Sequence, residues 1–388
     1  MKVLYLSHTS RISGAEHSLL ELLGGLPADI SPVLACPKGE LADCARALGV
    51  PLRRVGAVEG SLKLHPLWTP RAVAEIVRTA AAVRRLARTE RPDLVHANSI
   101  RAGLVASLAA RSGGAPTLVH LRDHLPPGRV SSATLRLIGK WAAGVLANSR
   151  YTESRLPETA LPPIVRVVDN PFDLTRFDPE RMDPAEARAR LGLDPSDRVL
   201  AVVAQITPWK GQDDAIRMLA RLKQRDVAAR LLIVGAAKFT LKSTRYDNPA
   251  YLRELHELSR SLGVGEEVAF LGERADVPEI LRASDVALVP SWEEPFGRTV
   301  VEAMAMGTPV VATSVGGPSE ILSEGREGRL LPPCRPELWA EVLEELLRSP
   351  DTRSAMGLAG RRTAVERFGV ERAVDQVVAV YREALSPP

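Results

Sequence analysis

Short apolar runs rich in β-branched residues recur along the chain, and longer amphipathic stretches separate them. In the first half, Val3–Ser7, Pro32–Cys36, Leu52–Val55, Asp93–Ala97, Thr117–Leu121, Val145–Ser149 and Val165–Val168 predict strands. Stretches such as Ala15–Leu23 and Pro70–Arg88 predict helices between them. The strands are apolar almost throughout rather than on alternate positions. That pattern belongs to strands buried on both faces, in a parallel sheet covered by helices. A turn-rich segment, Asp169 to Glu180, interrupts the alternation and precedes a short helix, Pro184–Leu191. Strands then resume at Val199–Gln205, Arg230–Gly235, Val268–Leu271, Val286–Pro290, Pro309–Thr313 and Gly328–Leu331.

The expected fold class is therefore α/β, with two Rossmann-like, doubly wound domains facing a central cleft. The first is expected over residues 1–180 and the second over 190–370, with the boundary near 175–195. A C-terminal segment, 371–388, carries a last helix at about Glu371–Ala384 and is expected to pack back on the first domain. Open α/β sheets bind ligands beyond the carboxyl ends of their strands, and clefts between domains are favoured sites.

With 388 residues, 45% of them hydrophobic and 25% charged, the chain has the composition of an ordinary globular protein. No apolar run approaches the ~20 residues that span a bilayer. The start, Met1-Lys2 and a strand, lacks the core of a signal peptide, so a cytoplasmic location is expected. Cys36, Cys44 and Cys334 suggest neither a disulfide framework nor a zinc site. The net charge of +4 is spread along the chain, which argues against nucleic acid as a partner. The same charge suits a peripheral contact with a membrane surface or an anionic substrate.

Four segments carry candidate chemistry. The first runs from Ser291 through Trp292, Glu293, Glu294, Pro295, Phe296 and Gly297 to Arg298, Thr299 and Glu302. It follows a strand and opens a helix. A helix start offers backbone N–H groups and a positive dipole end, which suit phosphate. Glu294 and Glu302, with seven residues between them, can accept hydrogen bonds from sugar hydroxyls. Glu302 is expected in the first helical turn, where the dipole alone would also favour it. Gly297 allows close approach, and the N–H groups of Arg298 and Thr299 are expected to point at the ligand.

In the second segment, Gln205 to Asp214, Lys210 and Gly211 lie in a turn between a strand and a helix. Lys210 is either a solvated lysine or a point charge for a diphosphate. The third is the loop Ser7–Glu16, where Gly14 either serves a turn or lets a ligand approach the backbone. No G-x-G-x-x-G is present, which disfavours a dinucleotide enzyme. The fourth is Thr117–Leu125. His120 ends a strand there, with Arg122, Asp123 and His124 after it. A His beside an Asp can serve acid–base chemistry or hydrogen bonding, while a lone His at a strand end is commonly structural. The same holds for His96. Neither set has metal-ligand spacing.

Taken together the chain resembles the retaining glycosyltransferases of family 4, which have the two-domain GT-B architecture. The resemblance rests on Gly14-Ala-Glu, His120, Val168-Asp-Asn-Pro-Phe-Asp173 through Phe177, Pro208-Trp-Lys-Gly211, Phe270-Leu-Gly272, Pro290 to Gly297, Val301-Glu-Ala-Met304 and Pro309 to Glu320. It covers nearly the whole chain. It implies transfer of a sugar from a nucleotide-diphosphate sugar to an acceptor hydroxyl, with retained configuration and no metal or other cofactor.

The resemblance also assigns roles. Glu294 would contact the donor sugar, Glu302 the ribose, and Phe296 and Gly297 the sugar through their backbones. Arg298, Thr299, Lys210 and the Gly14 loop would hold the diphosphate, and the region Gly272–Arg274 the base. His120 would lie near the transferred sugar, giving His120 and Glu294 as the catalytic pair. Arg122 and His124 are candidate acceptor contacts, within loops at Ser10–Ser13, Leu62–Trp68 and Arg122–Val130. The acceptor class stays open between a lipid carrier, a polysaccharide and a small aglycone, and the nucleotide between UDP and GDP.

Two positions depart from the family. Gln205 stands where an Arg is common, five residues before Lys210, so Lys238 and Lys242 become candidates to balance phosphate charge. Ser13 precedes Gly14 where many members have two glycines. A nucleotide-sugar epimerase of the same fold, or a non-catalytic sugar-nucleotide-binding protein, are the alternative readings.

Overall fold

The computed structural model describes residues 1–58, 68–111, 113–125, 128–158, 161–238 and 246–386. Lys242, residues 62–67 of one acceptor loop, and residues 126 and 127 of another lie outside them. The chain divides into two units, Met1–Phe172 with Val370–Pro388, and Asp173–Gly369.

The first unit is built on strands β1 (Lys2–Leu6), β2 (Ser31–Cys36), β3 (Leu52–Arg54), β4 (Leu94–Ala97), β5 (Thr117–Leu121), β6 (Gly144–Ala147) and β7 (Ile164–Val167). They form one parallel sheet in the order β3-β2-β1-β4-β5-β6-β7. Successive side chains of a strand point to opposite faces. Val3 and Tyr5 accordingly join one core with Leu19, Leu22, Val374 and Val377. Leu4 and Leu6 join another with Ile76, Val83 and Val105. The helix Val370–Leu385 covers the first of these faces with a stripe of Val374, Val377, Val378 and Tyr381, all buried.

The second unit holds β8 (Val199–Val203), β9 (Arg230–Val234), β10 (Val268–Gly272), β11 (Val286–Val289), β12 (Val310–Thr313) and β13 (Gly328–Leu331). All are parallel, in the order β10-β9-β8-β11-β12-β13. Trp339 is fully buried in its core and donates its indole N–H to the Pro332 carbonyl at 2.8 Å. Every strand expected from the apolar runs is present, with its ends kept or shifted by one or two residues. β8 stops at Val203, two residues short of Gln205, and β11 stops before Pro290, which has no N–H for a ladder.

In each sheet the order of strands runs outward in both directions from one central strand. The reversal falls between β1 and β4 in the first unit, and between β8 and β11 in the second. Loops leaving such a reversal diverge above and below the sheet and leave a crevice beyond the carboxyl ends.

Candidate active site

In the second unit the loops after β8 and β11 meet at that crevice. The chain leaves β8 into a 3₁₀ turn, Pro208–Lys210, which Gly211 closes with φ of 70°. A Cβ on Gly211 would stand 2.2 Å from the Pro290 carbonyl oxygen, so no side chain fits. The Trp292 N–H donates to the Trp209 carbonyl at 2.9 Å and ties the two loops together. This close approach carries Lys210 to Glu294, with Nζ 2.5 Å from Oε2. Ser291 Oγ donates to the same oxygen at 3.0 Å, and the Trp209 ring lies 4.1 Å from the ammonium. The side chains of Lys210 and Glu294 are 16% and 11% exposed, so water screens their attraction weakly.

A glycine pair holds the Glu294 loop from the other side. The Glu294 N–H donates to the Val315 carbonyl at 3.1 Å, and the Gly317 N–H to the Glu294 carbonyl at 2.8 Å. A Cβ on Gly316 would stand 2.1 Å from the Glu294 carbonyl oxygen, and one on Gly317 2.2 Å from that of Phe296. Phe296 itself is buried, its ring edge-on to Phe368 at 6.1 Å. Only its backbone is left for a ligand.

Gly297, with φ of 101°, precedes the helix Arg298–Ala305. Arg298 and Thr299 are the first two helical residues, placed before the ladder of helical hydrogen bonds begins. Thr299 Oγ1 donates to the Val203 carbonyl at 2.9 Å and pins the helix start to the end of β8. Glu302 is not in the first turn, as expected from sequence, but is the fifth helical residue, in the second turn. Gly297 sets this, because its left-handed backbone starts the helix only at Arg298 and one turn takes 3.6 residues. Arg298 and Glu302 lie 3.5 Å apart along the helix.

Other expected donor residues lie around the ends of β8, β9 and β10. Gln205 is half-buried, and its carbonyl accepts from the Gln212 side chain at 2.9 Å. Gly272 ends β10 with φ of 66°. Arg274 forms a two-point ion pair with Asp276 at 2.7 and 2.5 Å, which holds the Asp276 carboxyl below its usual range. Lys238 pairs with Glu273 at 2.6 Å. Its charge is therefore already matched by a carboxylate.

The remaining candidates belong to the first unit. Gly14 begins the helix Gly14–Gly24, and Ser13 donates through N and Oγ to Glu16 Oε2 at 3.2 and 2.5 Å. Burial raises the Glu16 carboxyl above its usual value. His120 is fully buried near the end of β5, and neither ring nitrogen has a hydrogen-bond partner among the described residues. Burial, then the Arg122 charge and His96, hold it well below the ordinary histidine range. Arg122 is buried, with its guanidinium donating to Asn98 Oδ1 at 2.8 Å and to Asn170 Oδ1. His124 packs edge-on to Tyr151 at 5.8 Å, with Asp123 4.0 Å from Nδ1.

Sequence reasoning did not single out Ser291, Trp209, Gly316 or Gly317 for any role at the site. All four stand inside the motifs quoted for the resemblance, and that position was the only signal available. Among the described residues, no three His, Cys, Asp or Glu side chains are placed to share a metal ion. Among them too, no helix is long and apolar enough to cross a membrane.

Comparison with known proteins places this geometry. The family Glycosyl transferases group 1 matches residues 183–363, and Glycosyltransferase Family 4 matches residues 12–176. A D-inositol 3-phosphate glycosyltransferase of Salinispora arenicola is 34% identical over 317 residues, covering 76% of this chain and 69% of its own. One from Actinosynnema mirum is 34% identical over 330 residues, covering 79% and 76%. The structure of Anabaena Alr3699/HepE in complex with UDP-glucose superposes with a TM-score of 0.84 at 26% identity, over 99% of this chain and all of that one. Sucrose-phosphate synthase from Thermosynechococcus elongatus shares the fold, with a TM-score of 0.82 at 21% identity over 99% and 98% of the two chains. The two matched segments and these relatives converge on one assignment: the chain belongs to the family 4 glycosyltransferases, of the GT-B fold.

Proposed function

We propose that this glycosyltransferase moves a hexose from a UDP-sugar to an acceptor hydroxyl, with retention at the anomeric carbon and without a metal ion. The observation that carries the reading is the meeting of Lys210 and Glu294 beside the start of the helix Arg298–Ala305, at the strand-order reversal of the second sheet. Cleaving a sugar–phosphate bond builds negative charge on the leaving diphosphate and positive charge on the anomeric carbon. The Lys210 ammonium and the helix N-terminus, about half an elementary charge, offset the first. Glu294 faces the second and accepts hydrogen bonds from the sugar.

Glu302, one turn along the helix, takes the ribose, and the Gly14 loop takes part in binding the diphosphate. His120 is the hydrogen-bonding partner of the transferred sugar. Glu294 is already engaged by Lys210 and Ser291, which suits a hydrogen-bond acceptor better than a base. The acceptor proton therefore goes to an oxygen of the departing phosphate, on the face from which it leaves, and the configuration is kept. The choice of UDP is supported by Alr3699/HepE, whose structures hold UDP and UDP-glucose.

The test is calorimetry with UDP-glucose and GDP-mannose, followed by NMR of the anomeric proton in the product after transfer to an acceptor panel in chelator. Binding of UDP-glucose and an α-linked product are expected. A β-linked product, or activity that chelation abolishes, overturns the reading.

A further inference from the structure

Ser291 and Glu294 stand three residues apart, the spacing of a serine and a glutamate that cap a helix start. No helix starts there. Ser291 lies just past β11, and the first helical residue is Arg298. Its hydroxyl is directed instead at the Glu294 side chain and donates to Oε2 at 3.0 Å. Ser291 is itself buried, with 1% of its surface exposed.

Lys210 donates to the same oxygen, so two donors from two loops converge on Oε2. Oε1 receives no hydrogen bond among the described residues and is open to solvent. The terminal torsion of a glutamate is broad, and a carboxylate held by one donor can still turn about it. A second donor on the same oxygen decides which oxygen stays available. The two donors differ in what else they serve. The Lys210 ammonium is also the group given to the diphosphate, so a bound donor draws on it. The Ser291 hydroxyl is neutral and buried, and a diphosphate does not compete for it.

We propose that Ser291 is a positioning residue for the reaction: it keeps hold of Glu294 Oε2 while the diphosphate draws on Lys210, so that Oε1 remains the oxygen that accepts a hydrogen bond from a hydroxyl of the donor sugar. The inference rests on the role given to Glu294 above. Without Ser291, a Glu294 that shares its lysine with the diphosphate turns more freely, and ordering it offsets part of its bond to the sugar. Lys210 serves the phosphates in either case. The loss therefore falls on the sugar and spares the nucleotide.

The experiment is calorimetry with UDP and with UDP-glucose on the full chain, as wild type, Ser291→Ala, Glu294→Ala and the double variant. Ser291→Ala is expected to weaken UDP-glucose about fivefold and to leave UDP within about twofold, which also shows that the donor site is folded. In the Glu294→Ala background the same change is expected to cost UDP-glucose nothing further, because the carboxylate through which the serine acts is gone. A loss shared equally by UDP and UDP-glucose in Ser291→Ala overturns the proposal, since the serine would then hold the loop and not the carboxylate. So does a loss that persists undiminished in the Glu294→Ala background. Unchanged UDP-glucose affinity in Ser291→Ala, when Glu294→Ala weakens it, overturns the proposal alone. Unchanged UDP-glucose affinity in Glu294→Ala removes the underlying reading of Glu294, and the role of the serine with it.

Discussion

Lys210 and Glu294 are 84 residues apart in the chain and form an ion pair of 2.5 Å in the second unit. Each is also assigned to a different part of the donor, the lysine to the diphosphate and the glutamate to the sugar. A bound diphosphate therefore competes with Glu294 for the ammonium. Replacing Glu294 by Gln removes the competing charge but keeps the shape. UDP, which has no sugar, is expected to bind Glu294→Gln at least as tightly as wild type. UDP-glucose is expected to lose about tenfold, one hydrogen bond's worth. Lys210→Ala is expected to weaken both ligands by a similar factor, since both carry the diphosphate. Calorimetry on the two variants with the two ligands decides it. Equal loss of UDP affinity in both would show that Glu294 supports the nucleotide rather than the sugar.

Glu302 sits one turn inside its helix, away from the dipole end, and is paired with Arg298 at 3.5 Å. If it holds the ribose, Glu302→Gln should weaken UDP about tenfold while leaving inorganic pyrophosphate unaffected. Calorimetry with the two ligands separates the ribose from the phosphates. A matching loss for pyrophosphate would move Glu302 to the phosphate end of the donor.

Much of this was legible in the sequence, and the illegible part has a physical pattern. Strands β4, β5, β11 and β12 announce themselves because burial on both faces demands apolar residues without alternation. Their ends do so only in part: Pro290 marks the end of β11 by its missing N–H, whereas no residue type marks the stop of β8 at Val203. Gly297 was legible as a point of close approach and Gly211 as part of a turn, while the left-handed backbone of both appears only in the structure. The pairing of Lys210 with Glu294 was not, because it depends on β8 and β11 being neighbours, and adjacency in a parallel sheet leaves no mark on either segment alone. Tyr381 was equally hidden. In a helical stripe with Val374, Val377 and Val378 it reads as one more core residue, and nothing along the helix shows that its hydroxyl meets His96 Nδ1 at 2.6 Å.

Gly316 offers a test of how the Glu294 loop is held. Its φ is +103°, and a Cβ there would stand 2.1 Å from the Glu294 carbonyl oxygen. Gly325 has φ of +77° and nothing within 4 Å of its would-be Cβ. Gly325→Ala should therefore lose only the backbone term, about 1 kcal/mol. Gly316→Ala adds a collision with rigid backbone and should lose about 2–4 kcal/mol, with UDP-glucose affinity falling alongside. Urea denaturation of both variants gives the comparison. Equal destabilisation would mean that the loop yields to the added carbon and that Gly316 is not what fixes Glu294.

Three histidines of the first unit give the protein a predictable acid response. Burial, reinforced by Arg101, lowers His8 to about 3. Burial, reinforced by Arg122, lowers His96 to about 3, and His120 also lies well below 6.5. The unfolded chain binds protons at these positions below pH 6.5, and the folded chain does not. Stability is therefore complete above that pH and declines as pH falls towards the folded values, by up to about 1.4 kcal/mol per pH unit for each histidine. One group works against them in the same window. Asp214 is raised to about 6 by burial and by Asp213, so the folded state takes up a proton there before the unfolded state does, and stability gains as pH falls from 6 towards 3.8. Glu16, also raised by burial, acts with the same sign. In the Asp214→Asn background the stability lost between pH 6.5 and 5.5 should thus be steeper than in wild type. Adding His8→Gln should return about one proton's worth of that slope. Urea midpoints measured at half-unit steps of pH give both slopes. If His8→Gln leaves the slope unchanged, His8 is protonated in the folded protein, and burial with the Arg101 charge does not hold it down.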